Sequence, residues 1–191
     1  MPLFSQGVAP HLEVLFLQGV RLEGGVIGRL ASHLGTGAWK GLCELHIMEA
    51  RLEPDSWAEL FQAMLRGGVW PCLKRLNLPV SPIGDGGAAA LARALEAGAC
   101  PALEDLQINE SQIGARGMEE LASAFASGAC THLRVLNLYF NPVGEPGIAH
   151  LARAMRGGGL AEVRDLKLNR TDMGDGGLVA FAGALAEGAC R

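Results

Sequence analysis

Leucines and their substitutes recur in a fixed phrase along nearly the whole chain, Leu-x-x-Leu-x-Leu. It is met at Leu12, Leu15, Leu17; Leu42, Leu45, Ile47; Leu73, Leu76, Leu78; Leu103, Leu106, Ile108; Leu133, Leu136, Leu138; and Val163, Leu166, Leu168. The phrase returns at a nearly constant interval, which is longer by one only between Leu42 and Leu73. Apolar and polar residues alternate at the second and third positions, which predicts a short strand with one buried face. A second apolar pattern follows each strand at spacings of three and four, as in Leu91 and Leu95, Leu121 and Phe125, and Leu151 and Met155. That spacing predicts a helix with one apolar face. Strands joined by helices run parallel, with right-handed crossovers. A fixed period of about 30 residues predicts a solenoid whose units bury their apolar faces against one another.

Between strand and helix the pattern also repeats. Three residues after the strand phrase stand Val20, Ala50, Ser81, Ser111, Asn141 and Thr171, so a polar ladder is expected in the last four units. Two residues on comes an apolar staple: Leu22, Leu52, Ile83, Ile113, Val143 and Met173. Turns such as Gly84-Asp85-Gly86-Gly87 open the helices, with an acidic residue suited to a helix start. Gly37, Gly67, Gly98, Gly128, Gly158 and Gly188 close them as C′ residues. A phosphate-cradling reading of the Gly-rich turns lacks the lysine and serine that such loops use. Burial of each large side chain stabilises by about 1.5–3 kcal/mol, so seven apolar positions per unit suffice once neighbours stack.

Composition adds material for a core and removes some partners. Of 191 residues 49% are hydrophobic, and the net charge is −4. A nucleic-acid or membrane-surface partner, which a basic face would serve, is not expected. No apolar run is long enough for a transmembrane span, and Met1–Glu13 has no secretory character, so a cytoplasmic location is expected. Counted forward from the strand phrases, Cys100, Cys130 and Cys190 share a column with Trp39, Val69 and Leu160, which reads as buried thiols used as small hydrophobes. Cys43 and Cys72 lie in other columns, and no Cys-x-x-Cys pair exists. His11, His33, His46, His132 and His150 occupy five different columns. No metal site, catalytic triad or cofactor is expected from them.

The segment CPALEDLQINESQIGARGMEELASAF resembles the leucine-rich repeats of the ribonuclease-inhibitor class, and the resemblance extends over residues 12–190. It implies an α/β horseshoe of about six repeats, with parallel strands on the concave side and helices on the convex side. The same class occurs in NOD-like receptors and in Ran GTPase-activating proteins. The resemblance implies a protein partner bound on the concave strand face and a scaffold that is not itself an enzyme.

Outward strand residues then become the candidate protein-binding set: His46, Arg75, Asn77, Asp105, Gln107, Asn109, Asn137, Tyr139, Phe140, Lys167 and Asn169. Tyr and Arg often dominate such surfaces. Asp105 and Asp165 share a column two strands apart, about 10 Å, but no pocket is expected around them for acid–base chemistry. The runner-up function is the repeat domain of a GTPase activator. It would need an exposed arginine, for which Arg21 and Arg51 are the candidates. A third is a ligand-sensing segment of a larger receptor. The organisation expected is one repeat domain over 1–191, with residues 1–11 the tail of a preceding repeat and units starting near 12, 42, 73, 103, 133 and 163. Neither end carries a polar capping motif, so flanking repeats or end-to-end self-association are expected.

Overall fold

A computed structural model describes residues 11–19, 40–50, 52, 54–66 and 68–188. The described elements are β1 (Val14–Gln18), β2 (Glu44–Met48), α1 (Pro54–Arg66), β3 (Arg75–Asn77), α2 (Gly84–Glu96), β4 (Asp105–Gln107), α3 (Ala115–Ala126), β5 (Val135–Asn137), α4 (Gly144–Arg156), β6 (Asp165–Lys167) and α5 (Gly174–Ala186). The six strands form one parallel sheet in chain order. Its register places Leu15, Leu45, Leu76, Leu106, Leu136 and Leu166 in one row. The chain is therefore an α/β solenoid, as the period predicts, of the leucine-rich-repeat kind that the resemblance implies.

The core lies between the sheet and the row of helices. Leu42, Leu73, Leu103 and Leu133 are fully or almost fully buried there, together with Leu60, Leu91, Leu121 and Leu151. The staple residues Leu52, Ile83, Ile113 and Val143 close its edge. Gly87, Gly117, Gly147 and Gly177 occupy one column at the helix starts, where the unit's own staple and the preceding helix both crowd the backbone; a Cβ on Gly147 would stand 2.5 Å from Val143 Cγ1 and 3.2 Å from Met118 Cβ.

The polar ladder forms as expected from Ser81 onward. Ser81, Ser111, Asn141 and Thr171 are buried. Asn141 Nδ2 donates to the carbonyls of Ile108 at 2.8 Å and Leu138 at 3.0 Å, while its Oδ1 accepts the N–H groups of Ser111 and Ile113, each at 3.0 Å. One side chain thus satisfies four backbone groups in two units, which a short parallel strand leaves open at its end. Ser81 and Thr171 only donate, to Pro79 O at 3.1 Å and to Leu168 O at 2.6 Å.

The structure corrects two of the columns. The C′ glycine after α1 is Gly68, with φ +80°, in line with Gly98, Gly128, Gly158 and Gly188. Likewise Trp70, not Val69, is the counterpart of Cys100, Cys130 and Leu160: Trp70, Cys100, Cys130 and Leu160 each accept a hydrogen bond from the leucine or valine three residues later. Trp70 is buried and Val69 exposed. The unit that opens at Leu42 carries its extra residue after Met64, so columns counted forward from Leu42 slip by one at its end. Cys100 and Cys130 are buried thiols, pushed up by desolvation to about 12 each. Cys43 and Cys72 are half-buried. Val20, Leu22, Gly37, Trp39, Gly67, Cys190 and the expected repeat tail before His11 lie outside the described residues.

Candidate concave recognition surface

Strand alternation sends the outward residues to one face in two rows. Register aligns Val14, Glu44, Arg75, Asp105, Val135 and Asp165 in the first row, and Phe16, His46, Asn77, Gln107, Asn137 and Lys167 in the second. All the candidate residues lie on this face or at its turn margin, and all but His46 are partly or fully exposed. His46 is the departure: it is only 8% exposed.

The burial of His46 has a local cause. The Phe16 ring stacks on the imidazole with centroids 3.9 Å apart and planes 10° from parallel. At the edge of the ring, Asn77 Nδ2 lies 3.1 Å from His46 Nδ1, and Glu44 Oε2 lies 3.1 Å from Nε2. Asn77 and Glu44 thus each stand within hydrogen-bond distance of one imidazole nitrogen. Glu44 Oε1 accepts in turn from Arg75 Nη1. Phe16, His46, Asn77, Glu44 and Arg75 therefore form one linked group spanning three strands.

The middle of the face is an amide chain. Gln107 Nε2 donates to Asp105 Oδ1 at 2.8 Å, and Asn137 Nδ2 donates to Gln107 Oε1 at 2.8 Å and to Asn109 Oδ1 at 3.1 Å. Asn137 Oδ1 accepts the Tyr139 N–H at 3.0 Å. These groups satisfy one another across β4 and β5, so the strip is pre-ordered rather than a set of loose side chains.

The third neighbourhood holds the aromatic candidates. Tyr139 and Phe140 have ring centroids 5.9 Å apart, and the Arg170 guanidinium lies 5.7 Å from the Phe140 centroid. Phe140 is 50% exposed. The Tyr139 hydroxyl has no hydrogen-bond partner among the described residues. Lys167 pairs with Asp165 at 3.4 Å, and exposed Asn169 uses its backbone carbonyl to accept the Phe140 N–H at 3.1 Å.

A feature no residue type advertises joins these turns. Gly19, Glu49, Val80, Glu110, Phe140 and Arg170 all have φ between 53° and 65°, one per unit, each two residues after the last apolar position of the strand phrase. The N–H groups of Gly19, Glu49, Val80, Glu110 and Phe140 each donate to a carbonyl of the following unit at 2.9–3.1 Å. Only Gly19 is of the type that favours this conformation. The left-handed turn lifts Val80, Phe140 and Arg170 outward as a ridge beside the strand face.

The other expectations have less to stand on. Arg21 and Arg51 lie outside the described residues. Among the described residues no three or more His, Cys, Asp or Glu side chains are grouped to hold a metal ion, and no helix is long and apolar enough to cross a membrane.

Comparison with known proteins agrees with the architecture. No curated protein matches the chain in sequence. The family model "Leucine Rich repeat" matches residues 129–152 and 163–182, the stretches that hold β5 with most of α4 and β6 with much of α5. Among solved structures, the chain is similar to the tropomodulin C-terminal domain of Caenorhabditis elegans, with a TM-score of 0.61 and 13% identity over 84% of this chain and 92% of that one. It is similar also to leiomodin-1 actin-binding site 2, with a TM-score of 0.62 and 13% identity over 86% of this chain and 90% of that one. Period, sheet order and matched segments agree on a leucine-rich-repeat fold.

Proposed function

We propose that the chain is a non-enzymatic scaffold, one domain of six repeats, that captures a protein partner on its concave strand face. The observation that carries this reading is the cluster of Tyr139, Phe140 and Arg170: two rings 5.9 Å apart, a guanidinium 5.7 Å from one of them, and half of Phe140 left in water. Exposed aromatic and Arg side chains on a rigid support lose little entropy on binding and are the residue types that dominate interface energies. The adjoining amide strip of Gln107, Asn109 and Asn137 supplies fixed polar contacts. The linked group around His46 gives the opposite end of the face a stacked aromatic of its own in Phe16.

Actin is the first partner to test, because one of the similar structures is described as an actin-binding site. The experiment is cosedimentation with actin filaments, and fluorescence titration with actin monomers, for the wild type and for Tyr139→Ala, Phe140→Ala and Arg75→Ala. Loss of a central anchor is expected to weaken binding by about tenfold or more, since each 1.4 kcal/mol is about a factor of ten. If actin binds and the three variants bind equally well, the concave face is not the site. If actin does not bind, the partner class is a different protein and the same variants serve to test it.

A further inference from the structure

In the middle of the ridge beside the strand face, a carboxylate stands between two apolar side chains. Glu110 has Val80 one unit back and Phe140 one unit on, each at strand spacing, about 5 Å. Val80 and Phe140 are exposed, and Glu110 is half-buried between them. The row is fixed by its backbone: the N–H groups of Val80, Glu110 and Phe140 donate to Asn109 O at 3.0 Å, Tyr139 O at 2.9 Å and Asn169 O at 3.1 Å.

The cations of the face are engaged elsewhere. Arg75 pairs with Glu44, Lys167 pairs with Asp165, and Arg170 lies over the Phe140 ring. Among the described residues the Glu110 carboxylate forms no ion pair. Asp105, at the other end of β4, forms none either and takes the Gln107 amide instead. The middle of the face therefore carries negative charge that the chain itself does not offset.

A partner that covers Phe140 covers Glu110 with it, since the two are neighbours in one row. A carboxylate taken out of water without a counter-charge is costly, so an apolar or acidic surface is opposed there. A long aliphatic stem that ends in a cation suits all three side chains: the stem lies on Val80 and Phe140, and the head reaches the carboxylate. We infer that the partner is a protein with a basic segment, one lysine or arginine of which seats on Glu110 between Val80 and Phe140. This rests on the reading of the concave face as the recognition surface, and it names the chemistry that the face selects. Acidic segments are turned away by the same two carboxylates.

The test is selection of a phage library of random dodecapeptides on the immobilised full chain. Peptides that bind the wild type and not Phe140→Ala are expected to hold Lys or Arg well above its share in the library. For such a peptide, made synthetically, Glu110→Gln is expected to raise Kd about tenfold. Replacing the peptide's cation by norleucine is expected to do the same, and the two changes together no more than either alone. Glu110 forms no ion pair within the described residues, so Glu110→Gln is expected to keep the circular dichroism spectrum and melting temperature of the wild type. Phe140-dependent peptides without a basic residue overturn the inference and leave the concave face as the site. So do basic ones that bind Glu110→Gln as well as the wild type, or whose two losses add. A selection that yields no peptide sensitive to Phe140→Ala overturns the concave-face reading and the inference with it.

Discussion

The carboxylate of Asp85 accepts the backbone N–H of Gly117, in the next repeat, at 3.0 Å, and the same oxygen accepts the Gly114 N–H at 2.7 Å. An acidic residue in the first turn of one helix thus caps the helix of the next unit. Asp85→Ala is expected to cost about 1 kcal/mol, the usual range for a lost helix cap. Asp85→Asn, which keeps an oxygen acceptor, is expected to cost less. Urea unfolding checks both, with Asp175→Ala as the control: that carboxylate has no N–H partner among the described residues, and equal losses at the two positions would remove the capping account.

Asn141 is expected to be the most sensitive member of the polar ladder. Its replacement by Ala strips partners from four buried backbone groups, those of Ser111, Ile113, Ile108 and Leu138. Each buried group left unsatisfied costs about 1–3 kcal/mol, so a loss of about 3 kcal/mol or more is expected after local relaxation. Ser81→Ala removes only one hydroxyl that donates to carbonyls and is expected to cost about 1 kcal/mol. The difference is read from urea midpoints; a Ser81 variant as damaging as the Asn141 variant would contradict it.

Val80 offers a gain. It is a β-branched residue at φ 54°, and it is 46% exposed. The left-handed conformation costs a residue with a Cβ about 1–2 kcal/mol, which the exposed side chain does not recover in packing. Val80→Gly and Val80→Asn are expected to raise the melting temperature, Gly by a net of up to about 1 kcal/mol after its own entropy cost. A lowered melting temperature in both would mean that Val80 packs better than its exposure implies.

Stability at high pH should report the two buried thiols. Desolvation raises Cys100 and Cys130 from the ordinary value of 9.0 to about 12. The folded state then holds protons that the unfolded state releases. Stability is therefore full below pH 9 and falls as pH rises from about 9 towards about 12, by about 1.4 kcal/mol per pH unit for each thiol. Urea midpoints of the wild type and of the Cys100→Ala, Cys130→Ala double variant should diverge in that window. Parallel curves above pH 9 would show that the thiols ionise without penalty.

The strand rows, the staple and the helix faces were legible because each depends on a side chain's polarity at a fixed position in a repeat. Counting forward fails where the period changes. The extra residue after Met64 puts Gly68 and Trp70 in the places that the spacing assigns to Gly67 and Val69, since a loop absorbs an inserted residue and a stacked helix does not. The concave face was legible as a set of outward residues, but not as three groups. Nothing in the sequence pairs Phe16 with His46, because the contact runs between neighbouring strands with a whole repeat of chain between them. Arg170 over Phe140 has the same origin.

By itself the sequence determined the architecture: a nearly constant period, with apolar columns at strand and helix spacing, leaves only a stack of parallel units in which each one's apolar face is buried by the next. The tertiary structure alone decided three matters. It set the left-handed turn carried by Glu49, Val80, Glu110, Phe140 and Arg170, which the N–H bonds to the next unit impose against residue preference in the first four. It turned the acid of one turn into the cap of its neighbour. It sorted the concave side chains into those already bonded to each other and those left exposed. All three depend on distances between units, and such distances exist only after the chain has stacked.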